Sequence, residues 1–125
     1  MTERRIEVRA AGVTLVANLN HSVTAEALWK ALPFTGSAQK WGDEIYFSIP
    51  VEAEEDDAQE TVEKGAVAYW PPGQALCLFW GPTPVSSSNE IRPASPANVL
   101  GHIEGNPELL SEVQDGTNVS VKRCQ

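Results

Sequence analysis

Hydrophobic and polar positions alternate along most of the chain, and glycine or proline interrupts the alternation at short intervals. "IEVRA" (6–10) and "TLVANL" (14–19) carry β-branched and other apolar residues at period two or in short runs. With Ala11-Gly12-Val13 between them, they predict a hairpin. The pattern then changes period. "TAEALWKALP" offers Thr24 as N-cap, Glu26 where the helix dipole favours a carboxylate, and Leu28 with Leu32 at i,i+4 spacing before Pro33 stops it. This predicts a short amphipathic helix.

Period two returns from Phe34 to Val51, in "FTGSAQKW", the turn-like Gly42-Asp43 and "EIYFSIPV". Ile45, Phe47 and Ile49 share one face of this strand, and Glu44, Tyr46 and Ser48 share the other. The acidic stretch "EAEEDDAQETVEKG" predicts a solvated loop with a short strand at Glu60 to Val62. It lacks the alternating oxygen ligands and the glycine of a calcium loop. "AVAYW" (66–70) and "ALCLFW" (75–80) read as a second hairpin around Pro71-Pro72-Gly73. "EIRPASPANVLGHIEG" gives further extended pieces broken by Pro93 and Pro96. In "NPELLSEVQDG", Asn106 as N-cap, Pro107 at N1 and Gly116 as stop predict a second helix, and "NVSVKR" closes the chain as a strand.

About eight strands and two short helices result, in one domain spanning residues 1–125. Strands that pair with their neighbours, without crossover helices between most of them, predict a mainly β fold with an antiparallel sheet. Closure into an eight-stranded barrel removes exposed edges, and the two helices suit its open ends.

Charge narrows the partners. With 17 acidic against 9 basic residues the net charge is −8, which repels a phosphate backbone or an anionic membrane surface, so neither nucleic acid nor membrane is an expected partner. "MTERRIEVRAAG" has no apolar run of signal-peptide length and no stretch suits a membrane helix, so a soluble cytoplasmic protein is expected. Cys77 and Cys124 match no metal spacing, and His21 and His102 lack ligand partners at useful spacing, so no metal and no cofactor are expected.

The order of elements, with one helix after the second strand and another before the last, resembles the cyclophilin barrel. More specifically, "WGDEIYFSIPV" (41–51), "GAVAYWPPGQALCLFWGPTP" (65–84) and "EIRPASPANVLGHIEG" (90–105) resemble the small prokaryotic cyclophilin-like family, a group of unassigned function. The resemblance spans nearly the whole chain. Authentic cyclophilins are peptidyl-prolyl isomerases that place an arginine beside an aromatic and a histidine in a strand. This chain has no Phe-His-Arg string, and Arg92 is the only arginine between Arg9 and Arg123.

The leading expectation is therefore a binding module with an aromatic-lined cleft for a small molecule or a proline-containing peptide, with a homodimer as the candidate assembly. The alternative is a divergent prolyl isomerase using Arg92 as donor to the proline amide. A further alternative, implied by the resemblance alone, is a partner of an amide-hydrolysing enzyme. Tyr46, Tyr69, Trp70 and Phe79 supply candidate cleft residues, but alternation sends Tyr69 and Trp70 to opposite faces, so some of these aromatics are core. Glu44 is a candidate for holding an amide or ammonium group if its face looks into a cleft, and otherwise a solvated edge carboxylate. Thr83 and Asn98 are further polar candidates. "PVSSSNE" (84–90), with no Gly-x-Ser-x-Gly elbow nearby, reads as a loop.

Overall fold

In the computed structural model, which describes residues 4–124, nine antiparallel strands form one sheet. They are β1 (Arg5–Ala10), β2 (Val13–Leu19), β3 (Phe34–Ser37), β4 (Gln39–Lys40), β5 (Glu44–Ser48), β6 (Ala66–Trp70), β7 (Ala75–Phe79), β8 (Asn98–Glu104) and β9 (Asn118–Arg123). Their order is β3-β9-β1-β2-β8-β6-β7-β5-β4. The strands at the two ends, β3 and β4, are consecutive in the chain, so the sheet curls round on itself into a nearly closed barrel. Gly36 of β3 lies so close to β5 that a Cβ there would stand 2.8 Å from Phe47 Cδ2.

The expectation of eight strands in a closed barrel is corrected at one place. The stretch 34–41 divides at Ala38, whose N–H donates to the Thr117 carbonyl at 2.8 Å and whose carbonyl accepts from Gly116 N–H at 2.8 Å. Before this pivot the chain pairs with β9, and after it with β5. Glu60 to Val62 is not a strand of the sheet. Single bridges, Gln59 to Ala97 and Val62 to Ile91, tie that segment to a later loop.

The helices also differ in detail from the pattern. Helix α1 (Val23–Ala31) is capped by Ser22, whose Oγ accepts from Ala25 N–H at 3.2 Å. Thr24, the expected cap, is buried instead, and its hydroxyl accepts from the Asn98 amide at 3.1 Å. Pro107–Glu112 is a 3₁₀ helix rather than an α-helix, capped as expected by Asn106, whose side chain accepts from Glu108 N–H at 3.0 Å. Pro71–Gly73 is a further single 3₁₀ turn. No helix among the described residues is long and apolar enough to cross a membrane.

Period two decides the packing of β5, β6 and β7. Ile45, Phe47, Val67, Tyr69, Leu76 and Leu78 point inward and join residues of β1, β2 and β9, with Leu28 of α1 and Leu110 of the 3₁₀ helix, in the barrel core. The outer face is not solvated. Ala66, Ala68, Cys77 and Phe79 form a second, smaller apolar cluster with Ile91 and Ala97, which lie in the loop between β7 and β8. That loop is fastened down where Val62 N–H donates to the Ile91 carbonyl at 2.9 Å and Gln59 N–H to the Ala97 carbonyl at 2.8 Å.

Candidate functional site

Where the covering loop leaves the outer face, a cavity of about 110 Å³ opens between Trp41, Glu44, Tyr46, Trp70, Cys77 and Ala94. The register explains how residues distant in sequence meet there. Tyr46 stands opposite Cys77 across β5 and β7, Cys77 stands opposite Ala68 across β7 and β6, and Trp70 is on the same face two residues further along β6. Trp41 comes from the tight turn that joins β4 to β5, in which its N–H donates to the Glu44 carbonyl at 2.9 Å. Gly42 makes that turn possible. Its φ of 61° lies in the left-handed region, and a Cβ there would stand 2.8 Å from Pro84 Cδ and 2.9 Å from Thr83 Cα. The turn, the loop after β7 and the slot are thus one construction.

Two of the three rings are held from outside the slot. Tyr46 hydroxyl bonds Gln39 Oε1 at 3.0 Å, and Trp70 Nε1–H donates to Ser95 Oγ at 2.7 Å, which fixes the indole against the covering loop. Glu44 is the chemical anomaly. It is only 4% exposed, and its Oε1 is buried with no hydrogen-bond partner. Loss of hydration pushes its carboxyl up from 4.5 to about 7, against the opposing effect of a hydrogen bond with the Cys77 thiol. Cys77 is itself raised well above the usual thiol value by burial and by the charge of Glu44. Near neutral pH the floor of the slot therefore exchanges between a carboxylic acid that donates and a carboxylate that only accepts.

Of the residues singled out from the sequence, the structure brings Glu44, Tyr46 and Trp70 together. The other five lie elsewhere. Tyr69 points to the opposite side of the sheet, where its hydroxyl donates to the Val51 carbonyl at 2.7 Å and accepts from Ala53 N–H at 3.2 Å. Phe79 is sealed under Ile91 and Ala97. Asn98 is buried and committed to structure. Its amide nitrogen donates to Thr24 Oγ1 at 3.1 Å and to the Glu54 carbonyl at 2.9 Å, while its oxygen accepts from Asp56 N–H at 2.9 Å. Thr83 donates its N–H to Ser86 Oγ at 2.9 Å and its hydroxyl to the Arg92 carbonyl, which shapes the loop after β7. Arg92 is not on the slot wall. Its guanidinium pairs with Glu90, with Nε 2.8 Å from Oε2.

Sequence reasoning missed Trp41, Cys77 and Ala94 as neighbours of Glu44. Trp41 was legible in principle, because a two-residue Gly42-Asp43 loop places the residues on either side of it opposite each other. Cys77 needed the register between two hairpins, which no local pattern carries. Two wider, open hollows meet at His102 along the acidic segment. Among the described residues no group of three or more His, Cys, Asp or Glu is arranged to hold a metal ion.

Comparisons with known proteins agree with this architecture. A family model described as cyclophilin-like matches residues 4–122. The solution structure of a hypothetical protein from Archaeoglobus fulgidus is similar, with 42% sequence identity over 98% of this chain and 95% of that chain, at a TM-score of 0.84. No curated protein matches the chain.

Proposed function

The chain belongs to the cyclophilin-like family, and from that premise we propose that it is a binding module. Its slot admits one compact group of a small molecule or of a proline-containing peptide. The observation that carries this is Glu44, a nearly buried carboxyl with one oxygen unpartnered, on the lining of a cavity walled by Trp41, Tyr46 and Trp70. Buried polar atoms are almost always paired in folded proteins, and leaving one bare costs about 1–3 kcal/mol. A cavity lined by that carboxyl gives a ligand both apolar contact and a polar group to pair with. Aromatic walls with a single oriented polar group are the usual make-up of a small-molecule site.

Proton-nitrogen NMR spectra test this, read at the indole N–H resonances of the four tryptophans. The probes are compact branched alcohols, quaternary amines and prolyl dipeptides. Saturable shifts are expected at Trp41 and Trp70, with Trp29 and Trp80 unmoved, and the same response is expected in Arg92→Ala. No saturable shift with any probe, or shifts spread evenly over all the indoles, overturns the proposal.

A further inference from the structure

The walls of the slot say more about the occupant than its size does. A volume of about 110 Å³ equals the share of roughly four water molecules, room for a compact group of four or five heavy atoms. Three of the six lining residues present aromatic rings, and the floor is an acidic group; no lysine, arginine or histidine lines the slot to neutralise it. The titratable side chains that face Glu44 from the packed strands are Cys77 on β7 and Tyr46 on β5, and neither supplies a positive charge. Lys40, on the neighbouring β4, is directed away, over the Trp80 ring at 5.9 Å and to the Ser111 carbonyl at 2.6 Å.

An acid ringed by aromatic faces and lacking a counter-cation is complementary to one kind of group. Aromatic rings attract a cation by their quadrupoles, most strongly where water is excluded, and a buried carboxylate needs a positive partner. A net charge of −8 adds a field that draws cations toward the surface.

We infer that the slot takes an alkylated ammonium headgroup, seated against Glu44 and enclosed by Trp41, Tyr46 and Trp70. This rests on the binding-module reading and specifies the charge of its ligand. The headgroup fills the cavity, and the remainder of the molecule extends past Ala94, the exposed lining residue. The competing occupant is a neutral amide whose carbonyl accepts a proton from Glu44 in its acid form. The two demand opposite protonation states of the same carboxyl, so pH separates them. Cation binding strengthens as the carboxyl ionises, and amide binding weakens.

Choline and its uncharged carbon isostere, 3,3-dimethylbutan-1-ol, provide the test, titrated by calorimetry and tryptophan fluorescence at pH 5 and pH 8. The inference predicts that choline binds at least about tenfold tighter at pH 8 than at pH 5, because Glu44 passes from acid to carboxylate across that interval. At pH 8 it also binds about tenfold tighter than the alcohol, whose affinity does not change with pH. Glu44→Gln, of equal shape, brings choline down to the affinity of the alcohol. If the alcohol binds as tightly as choline at pH 8, or choline affinity is flat or falls with rising pH, the ammonium assignment is overturned while the binding module stands. If neither probe binds, and the indole spectra are silent to every other probe, both fail. The wild-type titrations decide the matter even where the variant does not fold.

Discussion

On the inner face of β6, Tyr69 is 1% exposed and every demand of its hydroxyl is met, by the Val51 carbonyl and the Ala53 N–H. On the outer face of β5, Glu44 is almost as deeply buried at 4%, yet one of its oxygens meets nothing. Both faces of these strands are apolar, aromatic and covered. They differ in how the cover is made. The inner face is packed by strands and helices from all round the barrel, which fill space and satisfy polar groups together. The outer face is covered by the loop between β7 and β8, tied at Ile91 and Ala97 to the segment 59–62, whose Val62 packs there too, and at Ser95 to Trp70, and this cover leaves a cavity beside Glu44. A cover of that kind leaves a shaped gap without exposing the sheet.

The largest effect expected from this contrast is on the inner face. Phe47→Ala removes a side chain that is 1% exposed in a close-packed core, and chemical unfolding is expected to show a loss of about 3–5 kcal/mol. Trp41→Ala, at the slot, is expected to cost far less stability while removing the ligand response. Equal losses from the two substitutions contradict the distinction between a packed core and a slot.

Next in size is the pH dependence that Glu44 imposes. Because its folded value is raised from 4.5 to about 7, the native chain holds a proton that the unfolded chain gives up first. The stability from this group is complete below pH 4.5, declines as pH rises through about 7, and then levels off. At 1.36 kcal/mol per unit the decline is about 3 kcal/mol. Glu90 and Glu104, both lowered by arginine partners, act in the opposite direction and at lower pH. The difference between wild type and Glu44→Gln, followed by unfolding at intervals from pH 4 to 8, isolates the effect. A difference that does not vary with pH contradicts it.

Smaller again is Tyr69→Phe, which keeps the ring and strips the partner from the Val51 carbonyl and the Ala53 N–H. A loss of about 1–2 kcal/mol is expected by thermal unfolding, with the response at the slot intact. A loss of ligand response would show the two faces to be coupled through β6.

Much of the fold was legible in the sequence because period two and turn residues are local signals. The pairs "IEVRA" with "TLVANL" and "AVAYW" with "ALCLFW" form hairpins as expected, and the segments that resemble the cyclophilin-like family lie within the matched span. The division at Ala38 was not legible, since it depends on bonds to Thr117 and Gly116 at the far end of the chain. The same limit applies to the site. Alternation correctly put Glu44 and Tyr46 on one face and separated Tyr69 from Trp70. It could not say that the outer face lies under a loop, so Phe79, Thr83 and Asn98 carried the same polar or aromatic signal as true slot residues. Their partners, Ile91, Ser86 and Thr24, are chosen by tertiary packing.

The slot depends on the Glu44 carboxyl being held apart from water, with the Cys77 thiol beside it and one oxygen left unpaired. Carbon NMR of protein labelled at the glutamate carboxyl carbon reads this directly, as each resonance is followed through a pH titration. One resonance is expected to titrate near pH 7 and to be missing from Glu44→Gln. Assignment of Glu44 to a resonance that titrates between about pH 4 and 5 would contradict the account.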